Sequence, residues 1–343
     1  MGVLRDAALA GAFDLVWASG AAHVMRRLSH AAGLILQFHR VLPDAPADFA
    51  PNAGLQVHPE FLDFVVSRLR RLGYETVAMD EALKRLAEPG TARRFVAITF
   101  DGGYRDTLRH AAPVLRTLRC PYALYVTTAF ADGVGDVWWL ALEDIVAAQS
   151  AIAVTENDVT DYLPTATLGE KRAAYVALSA RLSAMPGPAR TRLLHDLATR
   201  YDFDREAQCR ALMLDWSELR ALAADPLCTI GTQGVRHWPL APLTPAQARG
   251  EVELSAQIIA AQLGRRPVHF AHPTGHATRA TALLAECGFR SGVTGTPGAV
   301  RPGADMLSLP RVPAGALGQR RRHVDVLAAP QTAGLMAGGI PAR

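Results

Sequence analysis

The chain has 343 residues, half of them hydrophobic and a fifth charged, with a formal net charge of +4 and four cysteines. Such a chain builds a large core, which excludes a disordered, collagenous or disulfide-scaffold protein. The isoelectric point near 9.0 rests on a small excess; Arg26–Arg27, Arg68–Arg71, Arg93–Arg94 and Arg320–Arg322 carry no interleaved aromatics. They read as solvated faces, and no nucleic-acid partner is expected.

Residues 1–32 predict an N-terminal helix, apolar but interrupted by Asp14 and His23 and ending in the basic stretch Val24–Leu28. It reads as a packing helix, with weak membrane-surface contact as the alternative. No apolar run reaches the roughly 18–20 residues that cross a bilayer, so no transmembrane segment is expected. Leu34–Phe38 then predicts a buried strand, closed by His39 and Arg40. Apolar residues at helical spacing follow from Pro59 to Leu72, with Gly73 as the stop. Next come a strand at Glu75–Ala78 and a helix carrying Ala82, Leu83 and Leu86, which Asp80 can cap.

The run Phe95–Phe100 predicts a buried strand leading into Asp101-Gly102-Gly103-Tyr104. A helix over Thr107–Leu118 and a strand over Tyr122–Val126 complete a βαβ unit, which implies parallel pairing. From about 138 to 222 the chain is rich in Ala, Leu and Arg and reads as a helical insertion, with one strand at Ala151–Thr155. The α/β rhythm returns with strands at Cys228–Gly231, Val268–Ala271 and Ser291–Thr294, separated by helices over Thr244–Leu263 and Ala277–Cys287. Residues 316–343 predict a flexible tail. Cys120, Cys209, Cys228 and Cys287 form no CxxC pair and read as thiols of a reducing compartment, hence a cytoplasmic location.

Parallel α/β proteins gather reactive groups at the carboxyl ends of their strands. The polar residues that directly follow these strands are His39, Asp101, the turn Gln233–His237 and His272. A single barrel brings all four to one rim. Asp101 precedes two glycines that leave its carboxylate uncovered, or it is a turn residue capping the next helix. His237 is a candidate for a metal or a substrate carbonyl, and His272 lies in a turn fixed by Pro273 and Gly275.

The order of motifs resembles the polysaccharide deacetylases with a NodB-homology domain, carbohydrate esterase family 4. The resemblance runs from about Gly33 to Gly315. It rests on Gln37-Phe38-His39-Arg40-Val41, Gly73-Tyr74-Glu75-Thr76-Val77 and Ile98 through Asp106, on Ile230 through His237, on Phe270-Ala271-His272-Pro273-Thr274-Gly275, and on Leu309-Pro310-Arg311-Val312. It implies an α/β fold, a distorted (β/α) barrel over 33–315 with the helical insertion inside it. The implied activity is hydrolysis of N-acetyl groups from amino sugars of an oligo- or polysaccharide. A divalent metal, usually zinc, activates the water, an aspartate serves as base and a histidine usually serves as acid.

Carried over residue by residue, Asp101 matches the base and His237 one of three metal ligands. Gly102 and Gln233 occupy the other two ligand positions; glycine has no donor side chain, and an amide oxygen is a poor zinc ligand. His272 and His39 are candidate substitutes. Tyr104, Trp238, His272 and His39 are the candidate substrate-binding residues, with Trp138 and Trp139 as further aromatics for sugar stacking. Arg265 or Arg266 is the candidate to orient the base, and His323 a weak candidate acid. The departures leave two readings: a deacetylase-type hydrolase, or a catalytically silent relative that binds a glycan or a protein through the same cleft.

Overall fold

The computed structural model describes residues 2–88, 93–156, 159–275, 280–317, 319–329 and 331–332. Seven strands form its centre: β1 (Gly33–Phe38), β2 (Phe95–Gly102), β3 (Tyr122–Val126), β4 (Cys228–Thr232), β5 (His269–Ala271), β6 (Ser291–Pro297) and β7 (Leu309–Pro313). Each pairs in parallel with the next. β1 also pairs with β7 through Leu36↔Val312 and with β2 through Gly33↔Phe95, so the sheet closes into a barrel ringed by helices.

Strands covered on both faces must be apolar throughout, and all of Gly33–Phe38 and Phe95–Gly102 is buried. The seam between β1 and β2 needs a glycine: a Cβ on Gly33 would lie 2.5 Å from the Phe95 carbonyl oxygen. The short strand Glu75–Thr76 pairs with the start of β2, outside the barrel.

The outer helices follow ordinary start and stop chemistry. Helix Pro59–Arg71 opens with proline in its first turn and with the His58 ring accepting the Glu60 amide, and buries Phe61, Leu62, Val65, Val66 and Leu69 on one stripe. Helix Pro245–Leu263 is held by a Thr244–Gln247 capping box and ends at Gly264 with φ of +74°.

Several expectations are corrected. The N-terminal helix is two helices, α1 (Gly2–Ala18) and α2 (Ala21–Arg27), broken at Gly20 with φ of +68°. Asp80 caps nothing: the helix begins after Ala78, and Asp80 accepts from Arg290 Nη1 at 2.8 Å. The Leu309–Val312 motif, for which the sequence suggested no element, lies in the last barrel strand. The expected tail contains the helix Arg321–Leu327, whose Val324, Val326 and Leu327 are buried; 333–343 lie outside the described residues, as do 277–279 of the expected helix over Ala277–Cys287.

Between β3 and β4 the insertion holds helices Trp138–Ala148, Leu168–Ala184, Gly187–Arg200, Arg205–Leu212 and Trp216–Ala223. It also holds an antiparallel hairpin, Ala151–Glu156 with Val159–Pro164, whose second strand the sequence did not suggest. The alternating Ile152 and Val154 face a separate core with Trp138, Trp139, Leu178 and Leu194. The insertion is tied to the loop after β2: Leu214 N–H donates to the Gly103 carbonyl at 2.9 Å, and Arg105 Nε donates to both Glu218 oxygens at 2.8 and 2.9 Å.

Candidate functional site

Barrel closure brings β2 and β7 to the same interior, and with them Asp101 and Arg311. Arg311 Nη1 donates to Asp101 Oδ1 and Nη2 to Oδ2, each at 2.6 Å, while Gln37 Nε2 from β1 donates to Oδ2 at 2.8 Å. Asp101 is 2 % exposed and Arg311 0 %. The guanidinium is held in turn by the Thr294 carbonyl at 2.7 Å and the Thr99 hydroxyl at 3.2 Å. Burial pushes the Asp101 carboxyl up, but the adjacent Arg311 charge overrides it and holds the carboxyl below the usual carboxylate range, with His39 adding in the same direction.

Gly102 ends β2 with φ of +93°, and a Cβ there would meet the Tyr104 ring at 3.1 Å. The backbone is therefore built for glycine at the position where the family resemblance places a metal-ligating aspartate. After β4, Gln233 Oε1 and His237 Nδ1 are buried and have no hydrogen-bond partner among the described residues. His237 sits at φ of +57°, wedged between Phe130 and Trp139 with ring centroids 6.1 and 5.3 Å away. Burial, reinforced by the Arg190 charge, lowers its pKa to about 3, so the ring is neutral.

This donor set does not fit the zinc centre that the resemblance implies. It offers one neutral imidazole, one neutral amide oxygen and a carboxylate whose two oxygens already serve Arg311 and Gln37. No group of three or more His, Cys, Asp or Glu among the described residues is arranged to hold a metal ion. His272 belongs to no such group; its Nε2 donates to the Leu307 carbonyl at 2.9 Å, burial lowers its pKa, and its buried Nδ1 has no hydrogen-bond partner among the described residues. His39 is half-buried and close enough to bias both Asp101 and His237 electrostatically.

The other candidates separate clearly. Tyr104, Trp138 and Trp139 belong to the insertion's core, not to a sugar-stacking surface; Tyr104 OH accepts from Trp139 Nε1 at 3.0 Å. His272 is likewise almost fully enclosed. Trp238 is half-buried, with the Arg236 guanidinium 5.0 Å from its ring centroid. Gly187 packs closely against it, since a Cβ there would lie 2.3 Å from the indole. A cleft of about 230 Å³ opens there, lined by Ser183, Met185, Pro186, Pro239, Pro242 and Thr274. Arg266 does not orient Asp101; it binds Glu253 and the Cys287 carbonyl. His323 is bonded to Asp14 at 2.7 Å on the helix after the barrel.

Three contributors escaped the sequence reading. Arg311 and Gln37 were quoted in motifs without a role, although a charge or amide inside an apolar barrel strand must find a buried partner. Arg190 gave no signal: from the insertion it donates Nη2 to the His237 carbonyl at 3.3 Å and lies 5.3 Å from the Trp138 ring centroid. Burial lowers its pKa to about 10.

A model of the polysaccharide deacetylase family matches residues 168–292, which include Gln233, His237 and His272 and stop short of Asp101. Among solved structures, the deacetylase PplD of Streptococcus pyogenes, in complex with acetate, superposes with a TM-score of 0.55 at 17 % identity, covering 83 % of this chain and 93 % of that one. IcaB from Ammonifex degensii gives 0.53 at 19 % identity, covering 84 % and 98 %. No curated protein matches the chain. The closed seven-strand barrel is thus the fold of the solved polysaccharide deacetylases, and the family's model matches this chain over residues 168–292.

Proposed function

We propose that this chain keeps the deacetylase barrel as a receptor for an N-acetylated oligo- or polysaccharide and does not run the family's metal-dependent hydrolysis. The observation that carries this reading is the Asp101–Arg311 clamp beside Gly102. A general base must reach a water, and Asp101, 2 % exposed, lies in a closed interior where it accepts from Arg311 at both oxygens and from Gln37 at one. Recognition falls instead to the cleft next to Trp238, where apolar Met185, Pro186, Pro239 and Pro242 with the hydroxyls of Ser183 and Thr274 suit a sugar. Free thiols at all four cysteines support placing the protein in the reducing cytoplasm. Among the described residues no helix is long and apolar enough to cross a membrane.

A second reading, the deacetylase-type hydrolase, is favoured by one feature: Arg311 keeps Asp101 ionised, as a base must be. The test is calorimetric titration with N-acetylglucosamine oligomers and their deacetylated counterparts, run beside an acetate-release assay with zinc and with chelator. Selective binding of the acetylated oligomer without acetate release supports the receptor. Acetate release that vanishes in Asp101→Asn establishes the hydrolase. Binding of neither sugar removes the glycan reading.

A further inference from the structure

The helices α1 and α2 are an unusual packing device. Among the described side chains of α1 only Phe13 is buried, resting 5.3 Å from the His323 ring, and α2 buries none. Asp14 fixes the pair to the C-terminal helix by accepting from His323 Nε2 and Arg322. What remains outward is apolar: Leu15 is 71 % exposed, Trp17 48 %, Val24 58 % and Leu28 69 %. Large side chains left in water on one small element mark a surface meant to be covered.

The last turn of α2 also lines a cleft of about 220 Å³, with Arg26 and Arg27 on one side and Arg93, Arg94, Gly73 and Tyr74 on the other. Its arginines are poorly neutralised. Arg94 spends its hydrogen bonds on the backbone carbonyls of Arg26 and Ser29, at 2.6 and 2.7 Å. Arg93 reaches Glu75 only at 3.9 Å, and Arg85 holds that carboxylate at 2.8 Å.

We infer that the α1–α2 pair and this arginine cleft dock the protein on the surface of an anionic lipid bilayer. Guanidinium groups bind phosphate through paired donors, and the cleft is of headgroup size. Apolar tips beside cations are what an interfacial element needs: the tips enter the acyl boundary while the cations meet anionic headgroups. An acidic soluble partner would satisfy the arginines but leave the four apolar side chains needing a matching groove, whereas a bilayer covers both. The inference is independent of how the barrel mouth is used.

The test is co-sedimentation of the full-length protein with vesicles of phosphatidylcholine alone and of phosphatidylcholine mixed with phosphatidylglycerol. Binding roughly tenfold or more tighter to the anionic vesicles, falling with salt, is expected. Arg26→Glu/Arg27→Glu should reduce it to the level of neutral vesicles, and Leu15→Ser/Trp17→Ser should weaken it even at low salt, with unchanged circular dichroism in both. Equal binding to both vesicles, no binding, or variants that bind like wild type would overturn the inference. So would a lipid-free dimer that Leu15→Ser/Trp17→Ser dissociates, because the face would then belong to a second copy.

Discussion

Arg311 grips Asp101 through two parallel bonds of 2.6 Å across 210 residues of sequence, with neither side chain open to solvent. Removing one partner strands a charge, so Arg311→Met should cost about 3–5 kcal/mol of stability. In Asp101→Leu/Arg311→Met no charge is stranded, and most of that loss should return. Urea unfolding of the three proteins measures the coupling, and a double variant no more stable than Arg311→Met would show that the pair is not the cause.

The pH dependence of stability should carry a signature of His269. Its Nδ1 shares a 2.8 Å hydrogen bond with Ser291 Oγ, its Nε2 lies 3.4 Å from Asp80, and burial lowers its pKa to about 4. The unfolded chain, with an ordinary pKa of about 6.5, takes up the proton first. Stability from this group is therefore complete above about pH 6.5 and is lost as the pH falls toward 4. His269→Gln should flatten that limb by up to about 1.4 kcal/mol per pH unit, read from urea midpoints measured across the window.

Metal binding should be absent in the wild type and recoverable by design. Gly102→Asp/Gln233→His supplies the two donors that the family resemblance implies, and calorimetry with zinc should show about one equivalent, the count of a three-ligand site. Because Gly102 stands at φ of +93°, Gly102→Ala alone should cost about 1–3 kcal/mol. Zinc bound tightly by the wild type would contradict the donor argument.

Glycan retention should depend on how Trp238 rests against the insertion. Gly187→Ala forces a methyl group into the indole, which would lie 2.3 Å away, and must displace it. The expected result is weakened binding of acetylated oligomers, matching Trp238→Ala, with the far-ultraviolet circular dichroism unchanged. Full binding in both variants would remove the cleft beside Trp238 from the function.

The barrel was legible because parallel strands buried on both faces leave continuous apolar runs, as Leu34-Ile35-Leu36 and Phe95–Phe100 do. β7 was less legible: Leu309-Pro310-Arg311-Val312-Pro313 carries two prolines and a charge, which give no strand pattern until the Asp101 partner explains the arginine. Asp101 and His237 stand where their strands imply. The loss of Tyr104, Trp138 and Trp139 to the interior was not readable, because an aromatic's partners come from distant segments: Tyr104 follows β2, whereas Trp139 lies in the insertion. The helix over Arg321–Leu327 was hidden by its basic start, since its buried Val324, Val326 and Leu327 cover too short a stretch to show a period.

The way β1 is paired also constrains when the molecule can fold. β1 needs β7 on one edge, Arg311 must arrive before Asp101 can be buried, and Asp14 waits for His323. Each contact joins the beginning of the chain to its end, so the native contact order is high and loop closure must precede the contacts that reward it. On a ribosome the first strands would emerge long before their partners. A nascent chain ending before residue 309 would hold an open sheet edge and an uncompensated carboxylate, a state that favours chaperone capture over early, stepwise completion.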